Sequence, residues 1–315
     1  MDLRGKKVLV TGGNSFLGKS LVPLLRKKEA EIFTFSSMEY DLRKEHEVEK
    51  LFLDATPDVV MHLAVDCGGF EYKENNKGKM FYNNIMADTL VQEYSMRNNV
   101  EKFVGIGTSA SYPEFASSPL NENDLWEGQP EESNHSYGLV KRMMIIQSQA
   151  YRDQYGFNSI HLIPVNLYGP NFSTTPKDIR FIPILLRKFV DGKENREREV
   201  ELSGTRNASR EFLYVEDCAE GIIKATELYD KPSPVNLGCG EDIPMGELAE
   251  KVKKVVGYAG KIIWRGESSN QTPPRVLDIS RAEMEFGFKA KTSLEKGLTK
   301  TLEWYLENYE GFKGK

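Results

Sequence analysis

Apolar positions along this chain come in short β-branched runs, each closed by a turn and followed by apolar residues at helical spacing. KKVLVTGG is the first such run, and SFLGKSLVPLLRKK after it has the 3–4 periodicity of an amphipathic helix. EIFTFSS reads as a second strand. PDVVMHLA, KFVGIGTS and SIHLIPVNLYG repeat the order of strand, turn and amphipathic stretch, and the pattern predicts helices over 80–98 and 136–156. Strands alternating with helices imply an α/β fold, a parallel sheet with helices on both faces. After about residue 166 the rhythm changes to proline- and arginine-rich segments, and the late run PVNLG is expected to return to the sheet. The expected arrangement is a nucleotide-binding domain over 1–165, rejoined by 213–240, with a smaller substrate-binding lobe from 166–212 and 241–315.

Composition narrows the functional classes. A chain of 315 residues, 39% hydrophobic and 28% charged, can bury a sizeable core as one or two closely packed domains. The net charge of −5 and the scattered basic residues argue against a nucleic-acid footprint but leave room for a local basic pocket around a small anion. The opening MDLRGKKVLVTGG lacks the apolar region of a signal peptide, and no membrane-length apolar run occurs. Cys67, Cys218 and Cys239 are odd in number and widely spaced, with no metal pattern. Free, buried thiols in a reduced cytoplasmic compartment are expected, with no metal and no membrane.

The first strand–helix junction carries TGGNSFLG. Gly12 and Gly18 let the backbone approach a pyrophosphate, and the helix N-terminus offers N–H donors and a positive dipole. A three-glycine fingerprint would have glycine where this chain has Ser15. Asn14, Phe16 and Leu17 complete the turn as candidate cofactor contacts, with Leu42 and, in the strand-end segment HLA, Leu63 and Ala64. The second strand ends without an acid for a ribose 2′-hydroxyl; Ser36 and Ser37 leave room for a 2′-phosphate, with Arg43 and Lys44 nearby. NADP(H) is therefore the expected cofactor. Asp41 either accepts from the adenine amino group or is a surface turn residue.

SYGLVK places Tyr137 and Lys141 four apart, one turn along a helix face. A lysine there lowers the phenol pKa and can hold a nicotinamide ribose, so that the tyrosine donates a proton to a carbonyl oxygen as hydride reaches its carbon. Thr108, in GTSASYP, supplies a hydroxyl at a strand end about 30 residues earlier.

On TGGNSFLG, VVMHLA, GTSASYP, YGLVK, PVNLYGP and REFLYVED, the chain resembles the extended short-chain dehydrogenase/reductases over nearly its whole length. VDCGGF, NLYGP followed by FIPILLRKF, GTRNASREFLYVED and PRVLDISR make it most similar to the GDP-L-fucose synthases. The resemblance implies a Rossmann-type doubly wound fold, NADPH, a GDP-linked 4-keto sugar substrate and a homodimer through the two predicted helices. It assigns the catalytic hydroxyl, proton donor and lysine to Thr108, Tyr137 and Lys141, and a substrate contact to Asn166. It puts Arg187, Lys188, Arg210 and Arg275 in segments lining the diphosphate pocket, where arginine's planar fork suits the charge. For Arg187, Lys188 and Arg275 a solvated surface charge is the competing reading.

Members of that family epimerise C3 and C5 beside the ketone before reducing C4. Their cysteine and histidine for this step correspond here to Ala110 and Arg180, and neither alanine nor a permanently protonated arginine moves a carbon-bound proton readily. Sugar-nucleotide 4,6-dehydratases carry Asp-Glu where Ser109 and Ala110 stand. Ser111 reads as lining or structural, His62 as structural and cofactor-proximal, His135 as a surface group. The leading expectation is a C4-keto reductase of a GDP-4-keto-6-deoxy hexose or heptose. A bifunctional epimerase/reductase using His135 or Cys67 is the second reading, and a non-catalytic nucleotide-binding member of the fold is the third.

Overall fold

The computed structural model describes residues 1–173, 175, 180–266 and 275–309. The first half alternates as the pattern predicts: β1 (Lys7–Thr11), α1 (Gly18–Lys27), β2 (Glu31–Phe33), α2 (Glu45–Ala55), β3 (Val59–His62), α3 (Phe70–Asn75), α4 (Lys77–Arg97), β4 (Lys102–Ile106), α5 (His135–Tyr155) and β5 (Ser159–Pro164). The second half runs β6 (Asn166–Tyr168), α6 (Phe181–Glu194), β7 (Glu199–Ser203), β8 (Ser209–Tyr214), α7 (Val215–Leu228), β9 (Val235–Leu237), β10 (Asp242–Pro244), α8 (Met245–Val256), β11 (Lys261–Arg265), α9 (Ser280–Phe286) and α10 (Leu294–Glu307).

Six strands form one sheet in the order β2-β1-β3-β4-β5-β9, every neighbouring pair parallel. Every residue of β3, β4 and β5 is buried, which is why they read as mostly apolar runs without a polar face: parallel strands are covered on both faces. The chain leaves β1 outward to β2 and returns to the other side of β1 as β3. That reversal opens a crevice at the carboxyl ends of the strands, where doubly wound sheets bind ligands. This is a Rossmann-type fold. PVNLG does return to the sheet, as edge strand β9 beside β5.

Two apolar clusters, one including Val8, Val104 and Leu162, the other Leu9, Phe52 and Phe103, pack the sheet and its helices. A third, including Phe189, Tyr214, Leu248 and Tyr305, gathers α6, α8, α10 and the small sheets β10-β8-β6 and β11-β7. Ala282, Phe286 and Phe288, drawn above with the smaller lobe, pack into the core of the main sheet instead. Only Cys218 of the three thiols is buried; Cys67 and Cys239 are half-exposed, a correction to the expectation, since both lie in loops at the cleft side of the strands rather than on a core-facing helix. Among the described residues no cluster fit to hold a metal occurs, and no helix is long and apolar enough to cross a membrane.

Candidate active site

A cleft of about 830 Å³ runs along the carboxyl ends of the strands, from Ser36, Ser37 and Asp41 past the glycine turn to Thr108, Tyr137 and Arg180. That volume is ordinary for a cofactor site, which typically spans roughly 300–1,000 Å³. Its floor at the turn is shaped by glycine. Gly12 has φ +71°, and a Cβ there would stand 2.9 Å from the Ala64 nitrogen. A Cβ on Gly18 would lie 2.4 Å from the carbonyl oxygens of both Gly12 and Gly13, so α1 starts against the turn with no room for a side chain. Ser15, in place of a third glycine, turns its hydroxyl inward to accept the Gly18 N–H at 3.2 Å. No acidic residue occupies the first turn of α1. The cradle fits a pyrophosphate, with backbone N–H groups and the helix dipole as its donors. Asn14, Phe16, Leu17, Leu42, Leu63 and Ala64 all line the cleft.

The adenosine end is more acidic than the sequence suggested. Asp41 is gripped by Arg43 through two 2.7 Å bonds, and that guanidinium holds its carboxyl down to about 2. Lys44 is occupied by Glu47 at 2.8 Å. Glu39, three residues beyond Ser36, folds back to accept the Ser36 N–H at 2.7 Å, a local cap of the turn.

At the other end, α5 begins at His135, so Tyr137 lies in its first turn and Lys141 in its second, both buried. Burial raises the Tyr137 phenol above its ordinary pKa and the Cys67 thiol adds to this, while Arg180 and a hydrogen bond with Thr108 oppose it. The expected depression by Lys141 is therefore corrected. The lysine Nζ stands 3.1 Å from both carboxylate oxygens of Asp88, and its charge is shared there rather than spent on the phenol.

Thr108 caps the short turn Ser109–Ser111, accepting the Ala110 N–H at 3.2 Å. Ser109 and Ala110 are half-buried on that turn, and Ser111 is buried with no hydrogen-bond partner for its hydroxyl. Arg180 lines both the main cleft and an adjoining cavity of about 450 Å³, which Cys67 also lines. His135 is exposed and bonded to Gln129 at 3.1 Å.

The remaining candidates separate into two places, neither lining these two cavities. Arg275 donates to the Glu114 and Tyr112 carbonyls, each at 3.3 Å, and lies close enough to Arg210 that the two guanidinium groups repel. Arg210 also donates to the Ser209 carbonyl, and Asn166 to the Glu211 carbonyl on the neighbouring strand. Arg187 pairs with Asp191 along α6, and Lys188 donates to the Glu201 carbonyl.

Asp88 escaped the sequence reading. It sits in α4 between Asn84 and Gln92, a polar stripe at four-residue spacing that reads as a solvated face. All three are buried. Asn84 clamps Asp66 by its backbone N–H and carbonyl, fixing part of the cleft wall.

The model of the NAD dependent epimerase/dehydratase family matches residues 8–238. A probable GDP-L-fucose synthase 1 of Oryza sativa is 34% identical over 307 residues, covering 97% of this chain and 93% of the relative. A GDP-L-colitose synthase of Yersinia pseudotuberculosis is 29% identical, covering 95% of this chain and 98% of its own. Among solved structures, a GDP-6-OMe-4-keto-L-xylo-heptose reductase from Campylobacter jejuni superposes with a TM-score of 0.90 at 29% identity, over 98% of this chain and 99% of that one. A GDP-mannoheptose C4 reductase from the same organism, with NADP bound, gives 0.87 at 30%, over 97% and 99%. Glycine turn, Thr108–Tyr137–Lys141 set and near-full-length relatives agree: the chain belongs to the NAD dependent epimerase/dehydratase family.

Proposed function

We propose that the protein is an NADPH-dependent oxidoreductase that reduces the C4 ketone of a GDP-linked 4-keto-6-deoxy sugar, hexose or heptose, without epimerising C3 or C5. The observation that carries the reading is the meeting of Thr108, Tyr137 and Arg180 at one end of the cleft, with Ala110 on the turn beside them. NADPH held by the glycine turn would supply the hydride for the carbonyl carbon. Tyr137, kept protonated by its burial, gives its proton to the carbonyl oxygen, and Thr108 holds that oxygen and phenol in line. Reduction needs no acid/base pair beside the ketone, and Ala110 offers none. Arg180, fixed in charge, instead favours the oxyanion that forms as hydride arrives. Arg210 and Arg275, brought side by side, suit a diphosphate better than Arg187 and Lys188, which are spent on Asp191 and Glu201.

The names of the relatives and of the solved heptose reductases support the substrate class, and the structure with NADP bound supports the cofactor. The reaction run in deuterated water with NADPH and a GDP-4-keto sugar should leave C3 and C5 free of enzyme-dependent deuterium, against a no-enzyme control. Enzyme-dependent deuterium at either carbon overturns the reductase-only reading in favour of the bifunctional one. Cys67 would then be the group to substitute first, because it lines the cavity beside Arg180 while His135 is engaged outside.

A further inference from the structure

Behind Tyr137 and Lys141 lies a row of buried polar groups. Asp88 is 1% exposed, and besides Lys141 it holds the His62 Nε2 at 2.8 Å. His62 Nδ1 stands 2.7 Å from the Thr11 hydroxyl, which accepts the Ala64 N–H at 3.2 Å. A neutral imidazole protonated on Nε2 satisfies every one of these bonds. Burial pushes His62 down and so keeps it neutral. The row thus connects the catalytic helix α5, through α4 and β3, to the residue just before Gly12.

Lys141 and Asp88 are buried as a pair, and removing one partner of such a pair leaves the other charge uncompensated at a high cost. Burial pushes Asp88 up, yet the Lys141 ammonium and His62 outweigh it and hold the carboxyl below its ordinary value. His161, facing the pair from β5, has no partner for either ring nitrogen; burial and Lys141 push it down to about 3, so it adds no charge. The other charged or titratable groups near Tyr137 are Arg180, Cys67 and Lys73, whose ammonium lies over the ring at 5.6 Å from its centre.

We infer that Asp88 is a positioning residue that fixes the Lys141 ammonium behind the end of the cleft that Tyr137 lines, and so sets its action on the cofactor ribose and on Tyr137. The inference rests on the roles proposed above for those two residues. It carries a sign for pH. Asp88 opposes ionisation of the phenol, so removing its charge takes that opposition away. Tyr137 then loses its proton at lower pH, and the alkaline limb of the reduction moves down.

The test is Asp88→Asn, which keeps size and an acceptor but loses the charge. NADPH affinity by fluorescence titration, thermal melting and the pH profile of kcat/KM are read together. NADPH binding should weaken, kcat/KM should fall by about 10²-fold, as misplacement of a positioned group does, and the alkaline limb should shift down. Asp88→Glu should recover part of each. In a Lys141→Met background Asp88→Asn should cost no further activity, and the double variant should melt higher than Lys141→Met alone, which strands a buried carboxylate. Unchanged NADPH affinity and an unshifted profile in folded Asp88→Asn overturn the inference, as do losses that add in the double variant. Should Asp88→Asn alone fail to fold, rescue of the fold by Lys141→Met supports the coupling and no rescue overturns it. A protein with no reductase turnover would sink the proposed function, while the binding and melting comparisons would still report on Asp88.

Discussion

Three side chains with hydroxyl or guanidinium groups meet where one alanine declines to take part. Tyr137→Phe removes the phenol that faces the cleft as proton donor, so turnover should fall by about 10²–10⁴-fold, the usual cost of a lost general acid. NADPH affinity by fluorescence titration should stay near the wild-type value, because the glycine turn and the rest of the cleft are untouched. Turnover close to wild type would remove Tyr137 from the role of proton donor. The same residues show what a sequence reveals and what it hides. Tyr137, Lys141 and Thr108 can be singled out from the sequence by their spacing on strand end and helix, and the structure places Thr108 and Tyr137 at one end of the cleft with Lys141 one turn along α5. The partner of Lys141 cannot be, since Asp88 is 53 positions away and reaches the lysine only when α4 packs on α5. Sequence spacing also gives no sign of whether a charge is spent locally, as Arg43 is on Asp41 and Lys44 on Glu47.

At the scale of elements, the segment after β2 sets the choice between reductants. FTFSS has no acid in line with the strand, and Ser36 and Ser37 line the cleft. The kcat/KM for NADPH should therefore exceed that for NADH. Glu39 works against this preference, since a 2′-phosphate at the Ser36 N–H must displace its carboxylate. Glu39→Gln should accordingly widen the NADPH preference, and a clear NADH preference in the unmodified protein would sink the assignment. The strands and helices themselves were readable because buried parallel strands are mostly apolar runs and amphipathic helices keep their period. Helix α4 shows the limit. Its polar stripe of Asn84, Asp88 and Gln92 faces inward, while Phe81 and Tyr82 are 43% and 57% exposed, the reverse of an ordinary surface helix.

That inversion has a meaning for the whole molecule. On α5, Met143 and Ile146 are each 43% exposed, so two helices that pack on one another both turn apolar residues outward. A second copy of the chain meeting this pair by a two-fold axis would cover them, in keeping with the expected homodimer. Met143→Glu combined with Ile146→Glu should convert a dimer to a monomer in sedimentation velocity; a dimer that persists would place the interface elsewhere.

Strand β9 joins the main sheet only after the chain has passed through β6, α6, β7, β8 and α7, so residues 165–234 separate it from the strand it pairs with. During synthesis, β5 therefore emerges with one edge open and keeps it open until the return segment leaves the ribosome. An unpaired edge of a mostly apolar strand is a template for any passing β-segment. The smaller lobe, then, is not an appendage that the nucleotide-binding half could shed: the half that binds cofactor becomes safe from self-association only once much of that lobe has been made.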